Sequence, residues 1–180
     1  MDEEIKSKLT KDVFDILVKN NVKCFLTGGA LLGAYRDNGN LPSESYKGGN
    51  FNVIESQLIL KFSMIKTDLA KKGYNSKICN KKRTMALLVG IKKGCRVEII
   101  GYFKKGNKYF RIARYLKVIP EDFFEKPFSE ITLLDNKYPA PYDVKKYLEW
   151  IYIDWKIPNK LTVEKGMKND KHIVKYGEGI

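Results

Sequence analysis

The sequence predicts an α+β, or α/β-like, domain in which helices flank a mixed sheet. Three observations carry this. Apolar residues recur at helical spacing over 3–20 and 56–72. Short apolar runs of strand type lie between these stretches and crowd the block from 74 to 117. One more amphipathic stretch, 142–155, follows that block. The order is helix, strand, Gly-Gly, helix, strand, helix, several strands, helix, which is the order of a mixed sheet with helices packed on it.

Each element has its own local reason. Residues 3–20 place Ile5, Leu9, Val13, Ile16 and Leu17 on one face, and Asn20 and Asn21 end the pattern. VKCFLT (22–27) is a short apolar strand, Gly28-Gly29 follows, and ALLGAYR (30–36) begins a helix. DNGNLPSESYKGGN (37–50) has the composition of a long loop. NFNVI (50–54) alternates as a strand. The stretch 56–72 is helical, with Ser56 as its expected N-cap and Gly73 as its stop. Strands are expected at 74–80, 84–93, 95–105 and 108–117, a single helical turn at 120–126, and a strand within 131–141. The last helix turns Val144, Tyr147, Leu148 and Ile151 to one side. These elements make one domain over 1–158, with a polar, basic tail over 159–180.

Composition narrows the function. The chain has 180 residues, enough to bury a core. Its cysteines, Cys24, Cys79 and Cys95, have no metal-ligand spacing, and with His172 as the single histidine the sequence argues against a zinc site and for reduced core thiols. There is no apolar run of membrane length, and the first ten residues are polar, unlike a signal peptide. A cytoplasmic protein is the expectation. The net charge of +13 favours anionic ligands and allows nucleic acid. However, the cations are nearly all lysine, which lacks the guanidinium fork that grips phosphate and guanine.

The chemistry concentrates in three places. A strand that ends in Gly28-Gly29 and turns into a helix offers bare backbone amides to a phosphate; tight strand–helix packing explains the same dipeptide. The strand 50–54 carries Asn50 and Asn52 two residues apart, and so on one face. Glu98 is the lone carboxylate among Val97, Ile99 and Ile100. It is either a solvent-facing residue of a half-buried strand or a group kept for chemistry. A phosphate cradle, two alternating ligands on a strand and a carboxylate from another strand are the parts of a nucleotidyl-transfer site.

FLTGGALLGAYRDNGNLP (25–42) resembles the signature of the LicD/fukutin family, through Gly28, Gly29, Leu31, Leu32, Gly33, Ala34, Tyr35, Arg36, Leu41 and Pro42. Toward the C-terminus Pro139 or Pro141, Tyr147, Leu148, Tyr152, Asp154, Trp155 and Pro158 follow the family's order, so the resemblance spans 24–158. It implies a polymerase-β-like nucleotidyltransferase fold and transfer of a phospho-alcohol, such as phosphocholine or ribitol phosphate, from a CDP-linked donor to a glycan acceptor. Mg2+ or Mn2+ would be the cofactor. Gly28 and Gly29 would hold donor phosphates, and Asp154 and Trp155 would lie on the substrate side. Arg36 would counter charge, unless it only pairs with Asp37. Glu98 would be the third carboxylate. The family's metal-binding Asp-x-Asp falls on Asn50 and Asn52, so the metal set Asn50, Asn52 and Glu98 has lost two anionic ligands. By sequence, Asp37 and Glu44 in the loop are the nearest substitutes. Three readings stand: an active phosphotransferase, a pseudoenzyme that still binds nucleotide or glycan, and a nucleic-acid-binding or nucleotidyltransferase domain.

Overall fold

Helix α1 (Glu3–Lys19) forms where the apolar spacing places it, burying Leu9, Val13, Ile16 and Leu17. The computed structural model describes residues 3–37, 50–81, 84–90, 95–112, 116–152, 154–156 and 173–174. Strand β1 (Cys24–Leu26), fully buried, leads into helix α2 (Gly28–Arg36). Strand β2 (Asn50–Ile54) then runs directly into helix α3 (Glu55–Lys71). Ser56 is therefore not the cap. The N-cap position is the extended Ile54, and Ser56 lies inside the first turn because strand and helix share a junction without a loop. Gly73 does end the helix, with φ +79°.

The strand-rich block is β3 (Asn75–Lys81), β4 (Thr84–Gly90), β5 (Arg96–Lys105), β6 (Lys108–Ile112) and β7 (Leu116–Pro120). The single strand expected over 108–117 is two antiparallel strands, with Tyr109 opposite Ile119. After the short helix α4 (Asp122–Glu125), the stretch read as one strand at 131–141 is a hairpin of β8 (Ser129–Leu133) and β9 (Asn136–Ala140). Leu134 and Asp135 turn its corner with φ of 48° and 61°, the two-residue geometry that suits strand twist. Pro139 is tolerated because this sheet has only two strands.

The last helix, α5 (Val144–Ile151), is shorter than the 142–155 expected. Asp143 caps it by accepting from the Lys146 amide at 2.9 Å, and Tyr152 is already extended. Within the region read as tail, β10 (Ile173–Val174) pairs with β7. The loop over 38–49, including Leu41, Pro42 and Glu44, lies outside the described residues, as do Pro158 and His172. Among the described residues no helix is long and apolar enough to cross a membrane.

Strand β5 organises the main sheet. It pairs in parallel with β2, antiparallel with β4, and through its far end with β6. One sheet face carries Phe51, Val53, Val97 and Ile99, all fully buried. Phe51 meets Phe14 of α1 and Tyr138 of β9 there. The other face carries Asn50, Asn52, Glu98, Ile100 and Tyr102, because partners in a parallel ladder share a face. Phe25, opposite Asn52, joins this second face and packs on Phe124 of α4 and Tyr147 of α5. Thus one side of the sheet is plain core and the other combines aromatic packing with polar groups.

Asp12 ties α1 to the end of α3. Its carboxylate accepts from Lys8 at 2.9 Å, from Lys72 and from the Tyr74 phenol. Burial pushes its pKa up, but these donors outweigh burial and hold it at about 2, below the ordinary 3.8. A lowered folded-state pKa stabilises the fold above the unfolded value, and that contribution disappears as pH falls through the folded value. Asp12→Asn is therefore expected to cost about 2 kcal/mol at neutral pH, from a shift of roughly two units. The gap between variant and parent should close between about pH 4 and pH 2 in urea titrations; a gap independent of pH would refute the assignment.

Candidate functional site

The site begins at the end of β1. Thr27 is extended and occupies the N-cap position of α2, yet its side chain caps nothing. Its hydroxyl instead shares a hydrogen bond of 2.7 Å with the Tyr147 phenol. Among the described residues the first-turn amides of α2 thus lack an N-cap side chain, the state in which a helix terminus can receive an anion. The helix starts at Gly28, two residues earlier than expected, so both glycines belong to its first turn.

The two glycines have different reasons. Gly28 has φ +59°, and a Cβ there would come within 2.9 Å of the Asn50 Nδ2. The fold itself demands glycine at this position. Among the described residues a Cβ at Gly29 would meet nothing within 4 Å, so packing against them does not explain this glycine.

Asn50, Asn52 and Glu98 do come together beside Gly28. Asn50 and Glu98 are direct partners in the β2–β5 ladder, and the Asn50 carbonyl accepts from the Thr27 amide at 2.8 Å. Their chemistry differs from that of a metal site. Asn52 is 1% exposed, and its Nδ2 donates to the Tyr147 phenol at 2.7 Å and to the Thr27 hydroxyl at 3.3 Å. Burial raises the Tyr147 pKa far above its ordinary value, so the phenol stays neutral and the Thr27–Asn52–Tyr147 cluster carries no charge. Glu98, with its side chain 27% exposed, is paired with Arg96 at 3.2 Å.

Mg2+ and Mn2+ do not fit this set of donors. Both prefer anionic oxygens. Asn52 presents an amide donor that is already engaged, and Asn50 turns its Nδ2 toward Gly28. Among the described residues Glu98 supplies the site's one carboxylate, and no three acidic, histidine or cysteine side chains gather anywhere. Asp37 is not a substitute, because both its oxygens are bound by Arg36, at 2.8 and 2.7 Å.

The remaining predicted residues form a second group at the other end of α2. Arg36 is that helix's last residue, about 12 Å along a nine-residue helix from Gly28. The ion-pair reading of Arg36 is the one realised, since its guanidinium grips Asp37 and also donates to the Trp155 carbonyl at 3.2 Å. The Trp155 ring packs edge-on against Tyr35, while Asp154 is exposed and accepts from the Lys156 amide. Sequence reasoning missed the role of Thr27 and read Tyr147 as part of an apolar helix face and of the family's C-terminal order, not as a polar partner. The available signal was weak: a hydroxyl at the end of an apolar strand and a tyrosine on an apolar helix face.

No protein-family model and no curated protein sequence matches the chain. Solved structures do resemble it. One is the lincosamide antibiotic adenylyltransferase LnuA with lincomycin bound: TM-score 0.51 and 17% identity, over 91% of this chain and 97% of that one. Another is the solution structure of the antibiotic-resistance factor ANT(2'')-Ia: TM-score 0.52 and 9% identity, over 78% of this chain and 66% of that one. The chain has the nucleotidyltransferase fold.

Proposed function

We propose that this chain is a nucleotidyltransferase-fold domain that binds a nucleoside phosphate where Gly28, Gly29, Asn50 and Glu98 converge, and that it does so without two-metal turnover. The observation that carries the reading is the locked Asn52. Its amide is consumed by Tyr147 and Thr27 where a second metal-binding carboxylate would be needed. The uncapped start of α2 supports phosphate binding, and the net charge of +13 supports an anionic ligand. We assign the body of the domain to residues 1–158, with β10 (Ile173–Val174) of the segment that follows joining the main sheet through β7.

Calorimetry with ATP and CTP tests this directly. Binding is expected to be the same in Mg2+ and in EDTA, with no nucleotide consumed. Chelator-sensitive binding, or metal-dependent turnover, would overturn the reading.

A second reading keeps catalysis, favoured by the intact FLTGGALLGAYR stretch. In that LicD/fukutin-like reading the donor is CDP-linked, the acceptor is a glycan, Asp154 and Trp155 contact substrate, and Glu98 is catalytic. It requires Mn2+- or Mg2+-dependent breakdown of CDP-choline or CDP-ribitol that Glu98→Gln abolishes. A nucleic-acid ligand would show itself instead by affinity that falls steeply with salt.

A further inference from the structure

We propose that Arg111, with Tyr102 beside it, is an anion-binding position that takes a phosphate group of the ligand on the same sheet face as Asn50 and Glu98. The inference rests on the nucleotide reading for the identity of the ligand, but not for the presence of an anion.

Arg96 and Arg36 each have a carboxylate partner, Glu98 and Asp37 respectively. Arg111 makes no ion pair among the described residues, and its Nε is buried without an acceptor. Arg111 is half-buried and hydrogen-bonds Tyr102, but a buried Nε–H without an acceptor is costly, and folded proteins normally pair such a group.

The register explains where the charge points. Phe103 lies opposite Phe110, so Tyr102 and Arg111 are neighbours one step further along β5 and β6. Tyr102 is the partner of Ile54 in the parallel ladder, on the face that carries Asn50, Asn52 and Glu98. It is 3% exposed; burial raises its phenol pKa and the adjacent Arg111 pulls it back. The nearby acids are already used, since Glu121 and Glu125 both bind Lys104 and Glu125 also accepts from Tyr109. What remains is a planar cation beside a neutral hydroxyl donor, a combination suited to a phosphate oxyanion.

The test uses the whole chain and three probes: ATP, adenosine and inorganic pyrophosphate, titrated calorimetrically in EDTA. Arg111→Met is expected to weaken ATP and pyrophosphate by at least about tenfold and to leave adenosine unchanged. Arg111→Lys, which keeps the charge and loses the fork, should fall between the two. If Arg111→Met does not fold, the Arg111→Lys comparison decides alone. Parental affinity for ATP and pyrophosphate in the variants refutes the proposal, as does parental protein that binds neither. Pyrophosphate binding through Arg111 without ATP binding would uphold this position and sink the nucleotide reading. ATP binding indifferent to Arg111 would do the reverse.

Discussion

Tyr147→Ala is expected to lower the stability of the domain by about 3–5 kcal/mol, seen as a fall in the urea midpoint at unchanged slope. Tyr147 is fully buried and packs edge-on against Phe25 and Phe123. Truncation removes that ring and leaves a cavity between α5 and the sheet. It also takes from the Asn52 amide and the Thr27 hydroxyl their shared partner, leaving them only the 3.3 Å bond to each other. Tyr147→Phe separates the two contributions. It keeps the ring and deletes only the hydroxyl, so about 1–3 kcal/mol is expected, the cost of leaving buried donors unsatisfied. A Phe variant as stable as the parent would mean that the phenol is dispensable and that Asn52 is free for other work.

Restoring both carboxylates is expected to destabilise the domain in a way that metal reverses. In Asn50→Asp/Asn52→Asp, a charge enters a position that is 1% exposed, with only two neutral hydroxyls to solvate it. Two carboxylates would also crowd Glu98 across the ladder. Without metal the double variant should lose several kcal/mol at neutral pH, because buried like charges are not compensated. Adding Mn2+ should then recover stability, by about 2.7 kcal/mol at a hundredfold excess over the dissociation constant. The parent should show no such response, and Glu98→Gln in the double variant should abolish it. A parent stabilised by Mn2+ to the same extent would show that the amides hold metal after all.

Local sequence pattern revealed most of the elements. The spacing of Leu9, Val13, Ile16 and Leu17 marked α1, and NFNVI marked β2 at its observed bounds. The errors fell where a turn has few residues or none. β2 passes into α3 without a loop, and Leu134-Asp135 turn a hairpin with neither glycine nor asparagine in the corner. The convergence of Gly28, Asn50, Asn52 and Glu98 was legible because each lies at a strand end or on an alternating strand face. What engages Asn52 was not legible. Its partner lies 95 residues away on another element, and no local pattern encodes that approach. Arg111 was hidden for a similar reason, since its neighbour on the sheet depends on the β5–β6 register rather than on its own stretch of sequence.

The bond between Thr27 and Tyr147 spans 120 positions of the chain. Contacts of such separation are made late, after the segments between them have been synthesised and ordered. During translation the Gly28 turn and the Asn52 strand emerge early, but the phenol that closes over them is still to be made. A nascent chain that has not yet released α5 from the ribosome therefore exposes the Asn52 amide to water. The cluster closes only once nearly all of the chain through α5 has been made, so Asn52 gains its buried partner at a late step of folding.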